Sequence, residues 1–105
     1  DPQTTDLLLY TANWPAARRN HWNRLLPARA IENLCYVAAV NRIGEDGKGH
    51  AYSGDSQVLD FQGEALLEPG AADGVFRVTL NALELAAYRE RFPAYRDADA
   101  FTLAD

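Results

Sequence analysis

The amino-acid sequence predicts an α/β fold in which helices pack on one face of a sheet. Apolar segments of strand length recur along the chain, and the first two, 6–12 and 35–40, enclose a segment with apolar residues at three- and four-residue spacings. A capped helical segment, 81–91, lies near the end. The order strand, helix, strand, hairpin, strand, helix favours a single sheet with helices packed on one of its faces.

The segment Asn13-Trp14-Pro15 separates the first predicted strand from the first predicted helix. Residues 6–12 form an apolar run with a tyrosine, which is predicted as a buried strand. Pro15 suits the first turn of a helix, because its missing N–H would be unpaired there in any case. The helix predicted over 16–33 contains Pro27, and an interior proline costs about 3 kcal/mol. We therefore expect a kink or a restart near Leu26.

The middle of the chain is predicted from its turn signals. Residues 35–40 have the apolar, β-rich character of a strand buried on both faces. Residues 41–55 contain four glycines and many polar side chains, and they are predicted as a loop. Residues 56–60 and 64–68 flank a Phe-Gln-Gly turn and are predicted as a hairpin.

The end of the chain is predicted as a strand followed by a helix. Residues 75–80 are predicted as the last strand. Asn81 caps the helix, and Glu84 three residues on completes a capping-box pattern. The helix extends to about Arg91 and is ended by Pro93. Because the strands are strongly apolar, we expect a second layer to cover the other face of the sheet.

Composition excludes several classes of protein. At 105 residues the chain has room for one domain, and 48% hydrophobic residues indicate a globular one. A net charge of -5 argues against binding to nucleic acid or to an anionic membrane surface, which need positive charge. A single cysteine makes no internal disulfide, so a reducing compartment is expected. No apolar run approaches the roughly 20 residues of a membrane span.

Few residues fit a catalytic or metal-binding pattern. Cys35 lies in an apolar segment with no neighbouring cation or histidine, which favours a buried thiol over a nucleophile. His21 and His50 have no ligand partners at metal-site spacing, so no metal site is predicted. Residues 53–56, Ser-Gly-Asp-Ser, are similar to the GDS block of serine esterases, but they lead into a strand. A GDS-type esterase is therefore a distant alternative.

Three blocks of the sequence together resemble the nitrilase (carbon–nitrogen hydrolase) superfamily, and within it the omega-amidase branch. They are residues 6–47, 52–68 and 83–99. The most specific feature is a strand that ends in Ala-Asn-Trp-Pro, followed by a helix with His-Trp and then by Arg-Ala-Ile-Glu-Asn. The ending Arg-Phe-Pro-Ala-Tyr-Arg-Asp-Ala-Asp is a second marker. The resemblance covers nearly the whole chain, with the blocks in the family's order.

The resemblance implies a fold and a chemistry. The fold is the C-terminal portion of a four-layer α-β-β-α sandwich, with 1–105 forming the C-terminal part of a single carbon–nitrogen hydrolase domain whose N-terminal half lies upstream. The family hydrolyses a carbon–nitrogen bond with a cysteine nucleophile, a glutamate and a lysine, through a thioester and without a cofactor. All three catalytic residues precede this chain in the family pattern. No catalytic residue is therefore expected here, and the chain alone is expected to be inactive.

The resemblance also implies where substrate binds. Thr11, Ala12, Asn13 and Trp14 match the family positions at the pocket floor. Asn13 is predicted either to donate a hydrogen bond to a substrate oxygen or to serve as a turn or helix-cap residue. Trp14 is predicted either to wall the pocket or to be a core aromatic residue at a strand end.

Two functions follow as hypotheses. In the first, the chain is part of a cytoplasmic omega-amidase that releases ammonia from small dicarboxylate monoamides such as 2-oxoglutaramate. Its partners are the amide substrate, the N-terminal half of the domain and, in a dimer or larger homo-oligomer, further copies. In the second, the chain is a non-catalytic nitrilase-like interaction module. A Cys-Tyr-Asp-like elbow encoded upstream of Asp1 distinguishes the enzyme from the module.

Overall fold

The computed structural model describes residues 4–97 and Leu103, and in this part of the chain six strands and two α-helices are found. The elements are β1 (Leu7–Ala12), α1 (Arg19–Asn33), β2 (Tyr36–Asn41), β3 (Ile43–Glu45), β4 (Ala51–Ser53), β5 (Ser56–Leu59), β6 (Ala65–Gly70) and α2 (Ala82–Arg91). Strands β1, β2, β5 and β6 form one sheet in that order, with β1 and β2 parallel and the other pairs antiparallel. Strands β3 and β4 form a separate antiparallel hairpin.

Helix α1 connects the parallel strands β1 and β2 and covers one face of the sheet. Trp22, Leu26 and Ala30 recur every four residues, so they share one side of the helix. That side is buried against the sheet and forms the main core. The core residues are Trp22, Leu26, Ala30, Val37, Ala39 and Leu59, with Leu8, Tyr10, Ala12 and Trp14 packed at the margin.

Pro27 lies inside α1. Of the two outcomes predicted near Leu26, the restart is wrong and the kink stays a prediction. The helix continues unbroken from Arg19 to Asn33. Buried contacts of Trp22 and Leu26 before the proline, and of Ala30 after it, hold both parts of the helix on the sheet. Packing therefore outweighs the roughly 3 kcal/mol that an interior proline costs.

The strands predicted over 6–12 and 35–40 are confirmed as β1 and β2. The predicted burial of the first strand is wrong, because none of its residues is buried, and the burial predicted for both faces of the second fails at Val40. Leu9 in β1 is 71% exposed and Val40 in β2 is 61% exposed. Successive side chains of a strand point to opposite faces. The exposed residues therefore belong to the face away from α1, which we call the open face. Helix α2 covers this face only at its Tyr36 end, where Leu85 packs.

The predicted loop over 41–55 contains the hairpin β3–β4, so this prediction is wrong. One aspartate organises its turn: Oδ1 of Asp46 accepts hydrogen bonds from the N–H groups of Lys48 and His50, both at 2.9 Å. Oδ2 of Asp46 accepts from the Tyr52 hydroxyl at 3.0 Å and lies 3.0 Å from Nδ1 of His50. These bonds, the N–H of His50 foremost, hold the pKa of Asp46 well below its usual range.

Replacing Asp46 with alanine is expected to accelerate amide hydrogen exchange at Lys48 and His50 by about tenfold, because both N–H groups lose a charged acceptor. Since the pKa of Asp46 is lowered on folding, its contribution is fully present above pH ~4 and is lost as the pH falls through the lowered value. Protection in the unmodified protein should therefore persist below pH ~4. Equal exchange in the two proteins at neutral pH would contradict this role of Asp46.

The predicted hairpin over 56–68 is confirmed as β5–β6, whereas the strand predicted over 75–80 is wrong. The described residues of 75–80 have no strand assignment, and Val75 is 96% exposed. A strand needs a hydrogen-bonded neighbour, and the described chain places none beside this segment. Leu80 at its end packs against the buried residues Tyr36, Phe61 and Leu85.

Helix α2 begins as predicted, with Oδ1 of Asn81 accepting from the N–H groups of Leu83 and Glu84, each at 3.0 Å. It does not lie on the α1 face. Its buried residue, Leu85, packs with Tyr36 and Phe61. The side chain of Tyr36 points away from that of its neighbour in the α1-facing core, because strand residues alternate. The prediction that both helices share a face is therefore wrong.

An arginine ties α2 to the beginning of the sheet. Arg89 donates from Nε to the carbonyl oxygen of Leu34 at 2.9 Å and from Nη2 to that of Thr5 at 2.6 Å. Nη1 of Arg89 also pairs with Asp6 at 2.8 Å. We call these contacts the Arg89 clasp. They join residues more than 50 positions apart in the sequence.

Candidate substrate-binding edge

The predicted site residues lie where the two parallel strands end. Ala12, the last residue of β1, pairs with Asn41, the last residue of β2. Asn13 and Trp14 follow, and a short 3-10 helix, Ala16–Arg18, leads into α1. In open α/β sheets, ligands bind outside the carboxyl ends of the strands. We call this end of the sheet the site edge.

The four predicted residues differ in their surroundings. Thr11 is exposed on the open face, and Ala12 is half-buried on the α1 side. The side chain of Asn13 is exposed and makes no hydrogen bond within residues 4–97. Two cavities in the described chain are lined by other residues. At the site edge, residues 11–14 therefore form a short segment with exposed side chains at Thr11 and Asn13, and no enclosed pocket surrounds it within the described chain.

Trp14 is held on three sides. Its ring centroid lies 6.0 Å from that of Trp22, so it packs at the margin of the core. Its indole N–H donates to the carbonyl oxygen of Arg18 at 2.6 Å, and the Arg18 guanidinium lies 5.7 Å from the ring centroid. The ring therefore retains a half-exposed surface, but its N–H is already used within the protein.

The backbone of Trp14 is bonded to a residue that the sequence prediction missed. Oδ1 of Asn41 accepts from the N–H of Trp14 at 2.7 Å, and Nδ2 of Asn41 donates to the carbonyl oxygen of Trp14 at 3.0 Å. The same Nδ2 donates to the carbonyl oxygen of Gly54 at 2.9 Å. The available signal was an asparagine closing the otherwise apolar segment Tyr-Val-Ala-Ala-Val.

The turn between β4 and β5 completes the site edge. The carbonyl oxygen of Asp55 accepts from Nε1 of Trp22 at 2.7 Å, and its carboxylate accepts from Arg19 at 2.9 Å and from the Ser53 hydroxyl at 2.6 Å. Gly54 has φ +76°, and a Cβ there would lie 2.7 Å from the carbonyl oxygen of Gly70. Glycine is therefore required at this position. The polar groups of this turn are occupied by bonds within the fold.

Cys35 lies far from this edge, and its predicted burial is confirmed. It precedes β2, whereas the site edge is at the end of β2, so the two are separated by about 20 Å at ~3.3 Å per residue. The side chain is completely buried. Burial raises the pKa of the Cys35 thiol, which disfavours the reactive thiolate.

A cavity of about 380 Å³ lies beside the site edge on the open face. Val40, Val58, Leu67 and Phe76 contribute apolar surface to it. Its polar lining includes Asn41, whose amide is already bonded to the site edge. Within residues 4–97, no group of three or more His, Cys, Asp or Glu side chains is placed to hold a metal ion.

Comparison with known proteins identifies relatives of this chain. The family model for carbon–nitrogen hydrolases matches residues 2–90. The omega-amidase YafV of Yersinia enterocolitica is 55% identical over 103 residues, which cover 96% of this chain and 40% of the relative. The 2-oxoglutaramate amidase of Bacillus subtilis is 39% identical, over 88% of this chain and 35% of that protein. The chain thus spans about 35–40% of the length of these two relatives.

A solved structure supports the same relationship. A CN-hydrolase superfamily protein from Xanthomonas campestris, whose structure carries an arsenic adduct in the active site, superposes with a TM-score of 0.90 at 52% identity. The match covers 94% of this chain and 37% of that one. The α/β fold class and the resemblance drawn from the sequence are both confirmed. This chain belongs to the carbon–nitrogen hydrolase family.

Proposed function

We propose that this chain is the C-terminal part of an omega-amidase. The whole enzyme hydrolyses the terminal amide of small dicarboxylate monoamides such as 2-oxoglutaramate and releases ammonia. Its cysteine nucleophile, glutamate and lysine lie upstream of residue 1. The observation that carries the proposal is the identity of 52–55% to omega-amidases over more than nine-tenths of this chain. A 2-oxoglutaramate amidase among the relatives supports the substrate class.

The role proposed for the chain is to supply one wall of the substrate site. Thr11, Ala12, Asn13 and Trp14 are the contact residues, as their match to the family pocket implies. Two features favour this assignment: the amide of Asn13 has no partner within residues 4–97, and the Trp14 ring is half-exposed. The free amide of Asn13 offers a donor to a substrate oxygen, and the Trp14 ring offers a flat apolar wall.

Trp14→Ala in the full-length enzyme is expected to lower kcat/KM for 2-oxoglutaramate by about 100-fold, because the wall that orients the amide is removed. The matched control is Trp14→Phe, which keeps an aromatic ring at the wall but loses the indole N–H bond to Arg18. Ammonia release gives the kinetics, and thermal unfolding shows that both variants remain folded. Normal turnover combined with a large loss of melting temperature would show that Trp14 is only a core residue.

Cys35→Ser in the full-length enzyme is expected to leave amidase activity within several-fold of the unmodified protein, whereas replacing the upstream elbow cysteine abolishes it. Cys35 is buried, has a raised pKa and lies at the far end of β2 from the site edge. Some stability is lost because a hydroxyl is buried in place of a thiol. Ammonia release is compared at a temperature where all proteins are folded. Complete loss of turnover in well-folded Cys35→Ser would make Cys35 the nucleophile.

Location and assembly belong to the same proposal. We place the enzyme in the cytoplasm, since its only cysteine in this chain is a buried free thiol that needs no oxidising compartment. Within the described residues, no helix is long and apolar enough to cross a membrane.

We also propose that the enzyme forms a dimer or larger homo-oligomer. Sedimentation of the full-length enzyme as a monomer would contradict this, and full-length protein without amidase activity would favour the non-catalytic module.

A further inference from the structure

The two buried polar side chains in the described core differ in what they bond. Gln57 in β5 donates from Nε2 to Oδ1 of Asn23, a side chain of α1. Asn41 bonds only backbone groups, and two of its three bonds go to one residue, Trp14, 27 positions earlier in the chain. Both side chains are less than 10% exposed, so the bonds of each are protected from water.

The side chain of Asn41 bonds backbone groups that lie just beyond the end of the β1–β2 ladder. The parallel ladder ends at the pair Ala12 and Asn41, so the backbone N–H and C=O of Trp14 have no strand opposite them. The asparagine amide supplies one acceptor and one donor to these groups, as a neighbouring strand would. The peptide plane between Asn13 and Trp14 carries the bonded N–H, so the backbone of both residues is fixed.

The asparagine is itself fixed on the opposite side. Its backbone N–H donates to the Ser56 hydroxyl at 3.0 Å, and its second side-chain N–H donates to Gly54. Gly54 is held in turn, because the next residue, Asp55, donates from its N–H to the carbonyl oxygen of Gly70 at 2.9 Å and accepts from Trp22. The bonds to Trp14 therefore start from a rigid support.

From this geometry we infer that Asn41 is a positioning residue for substrate binding: its amide sets the place of Asn13 and Trp14 at the site edge. The inference rests on the proposed function, in which these two residues contact the amide substrate. Asn41 itself does not touch substrate. Its effect is on how well the pocket wall is aligned, and hence on KM more than on the chemical step.

The geometry requires an amide at this position. A carboxylate of the same shape would keep the acceptor for the Trp14 N–H but would face the two carbonyl oxygens of Trp14 and Gly54 without a proton to donate. Serine is too short to bridge these groups. An aliphatic residue would suit the surrounding apolar strand but would leave the N–H and C=O of Trp14 and the C=O of Gly54 without these partners.

The test compares Asn41→Asp with Gln57→Glu in the full-length enzyme. Both changes convert a buried amide into a carboxylate of the same shape, so both are expected to lower the melting temperature. Only Asn41→Asp is expected to raise KM for 2-oxoglutaramate, by about tenfold or more, with kcat within about threefold. Hydrogen exchange of the peptide that contains Trp14 is measured in parallel, and it is expected to accelerate in Asn41→Asp alone.

The two readouts separate this inference from the proposed function. An unmodified enzyme that releases no ammonia from any dicarboxylate monoamide would contradict the proposed function, and exchange at Trp14 would still decide whether Asn41 holds the segment. A KM equal in Asn41→Asp and Gln57→Glu would overturn the positioning role in an active enzyme. Unchanged exchange at Trp14 in Asn41→Asp would overturn it whatever the activity.

Discussion

Replacing Trp22 with alanine in the full-length protein is expected to lower the free energy of unfolding by about 3–5 kcal/mol. The side chain is 5% exposed and lies in the main core between α1 and the sheet. Removing it leaves a cavity bordered by Trp14 and by the residues of β2 and β5 that face α1. The carbonyl oxygen of Asp55 also loses the indole N–H that it accepts at 2.7 Å.

Trp22→Phe separates the two contributions. The phenyl ring fills most of the space but cannot donate to Asp55, so a loss of about 1–3 kcal/mol is expected from the unpaired carbonyl group and the smaller volume. Chemical denaturation followed by circular dichroism measures both variants. An alanine variant that loses less than the phenylalanine variant would show that Trp22 does not anchor α1.

Expressed alone, residues 1–105 are expected to self-associate and not to form a single monomeric species. Helix α1 covers one face of the sheet, whereas α2 covers only the Tyr36 end of the other face. The open face exposes Leu9 and Val40, which are 71% and 61% accessible. The outer edges of β1 and β6 have no strand beside them in the described chain. Apolar surface and unpaired edges favour association.

Sedimentation velocity over a range of concentrations measures this association. Leu9→Lys combined with Val40→Lys places two charges on the open face and is expected to shift the distribution towards monomer. Leu25→Lys is the matched control, because Leu25 is 44% exposed on α1, the other side of the sheet. A stable, monodisperse monomer of the unmodified chain would contradict the expectation.

Two elements were predicted correctly because a cap or a turn motif lies within their own sequence. The α2 helix has its cap at Asn81, and the β5–β6 hairpin has its turn between two strand-like segments. The β3–β4 hairpin was missed because its residues are polar and rich in glycine. Its order comes from Asp46, whose bonds to the turn are visible only in three dimensions.

The restart predicted at Pro27 and the strand predicted over 75–80 are wrong for a different reason: the local sequence signal is present, but the surrounding structure overrides it. The cost of Pro27 is real, but burial on both sides of it keeps α1 continuous. The apolar residues of 75–80 have strand character, yet no neighbouring strand is present among the described residues to pair with them. Local propensity decides neither case, because packing and pairing are determined by distant parts of the chain.

The site was predictable only in part. Thr11 to Trp14 follow a recognisable strand and match a family motif, so their position at the sheet edge could be expected. Their role as substrate contacts stays a prediction. Asn41 could not be found in this way, because its significance depends on backbone groups of Trp14 that the fold brings to it from 27 residues away. The role of a buried side-chain amide can be inferred only once its hydrogen-bond partners are known.

Forming the Arg89 clasp costs chain entropy, because its bond to Thr5 closes a loop of 84 residues, and closing such a loop in a flexible chain costs on the order of 4 kcal/mol. The Arg89–Asp6 ion pair has a largely exposed carboxylate and contributes about 1 kcal/mol or less, so it cannot offset that cost by itself. The pairing of β1 with β2 must already have brought Thr5 close to Leu34 before Arg89 can bond both. The clasp therefore depends on the sheet for its existence, and loss of the β1–β2 pairing would release α2 as well.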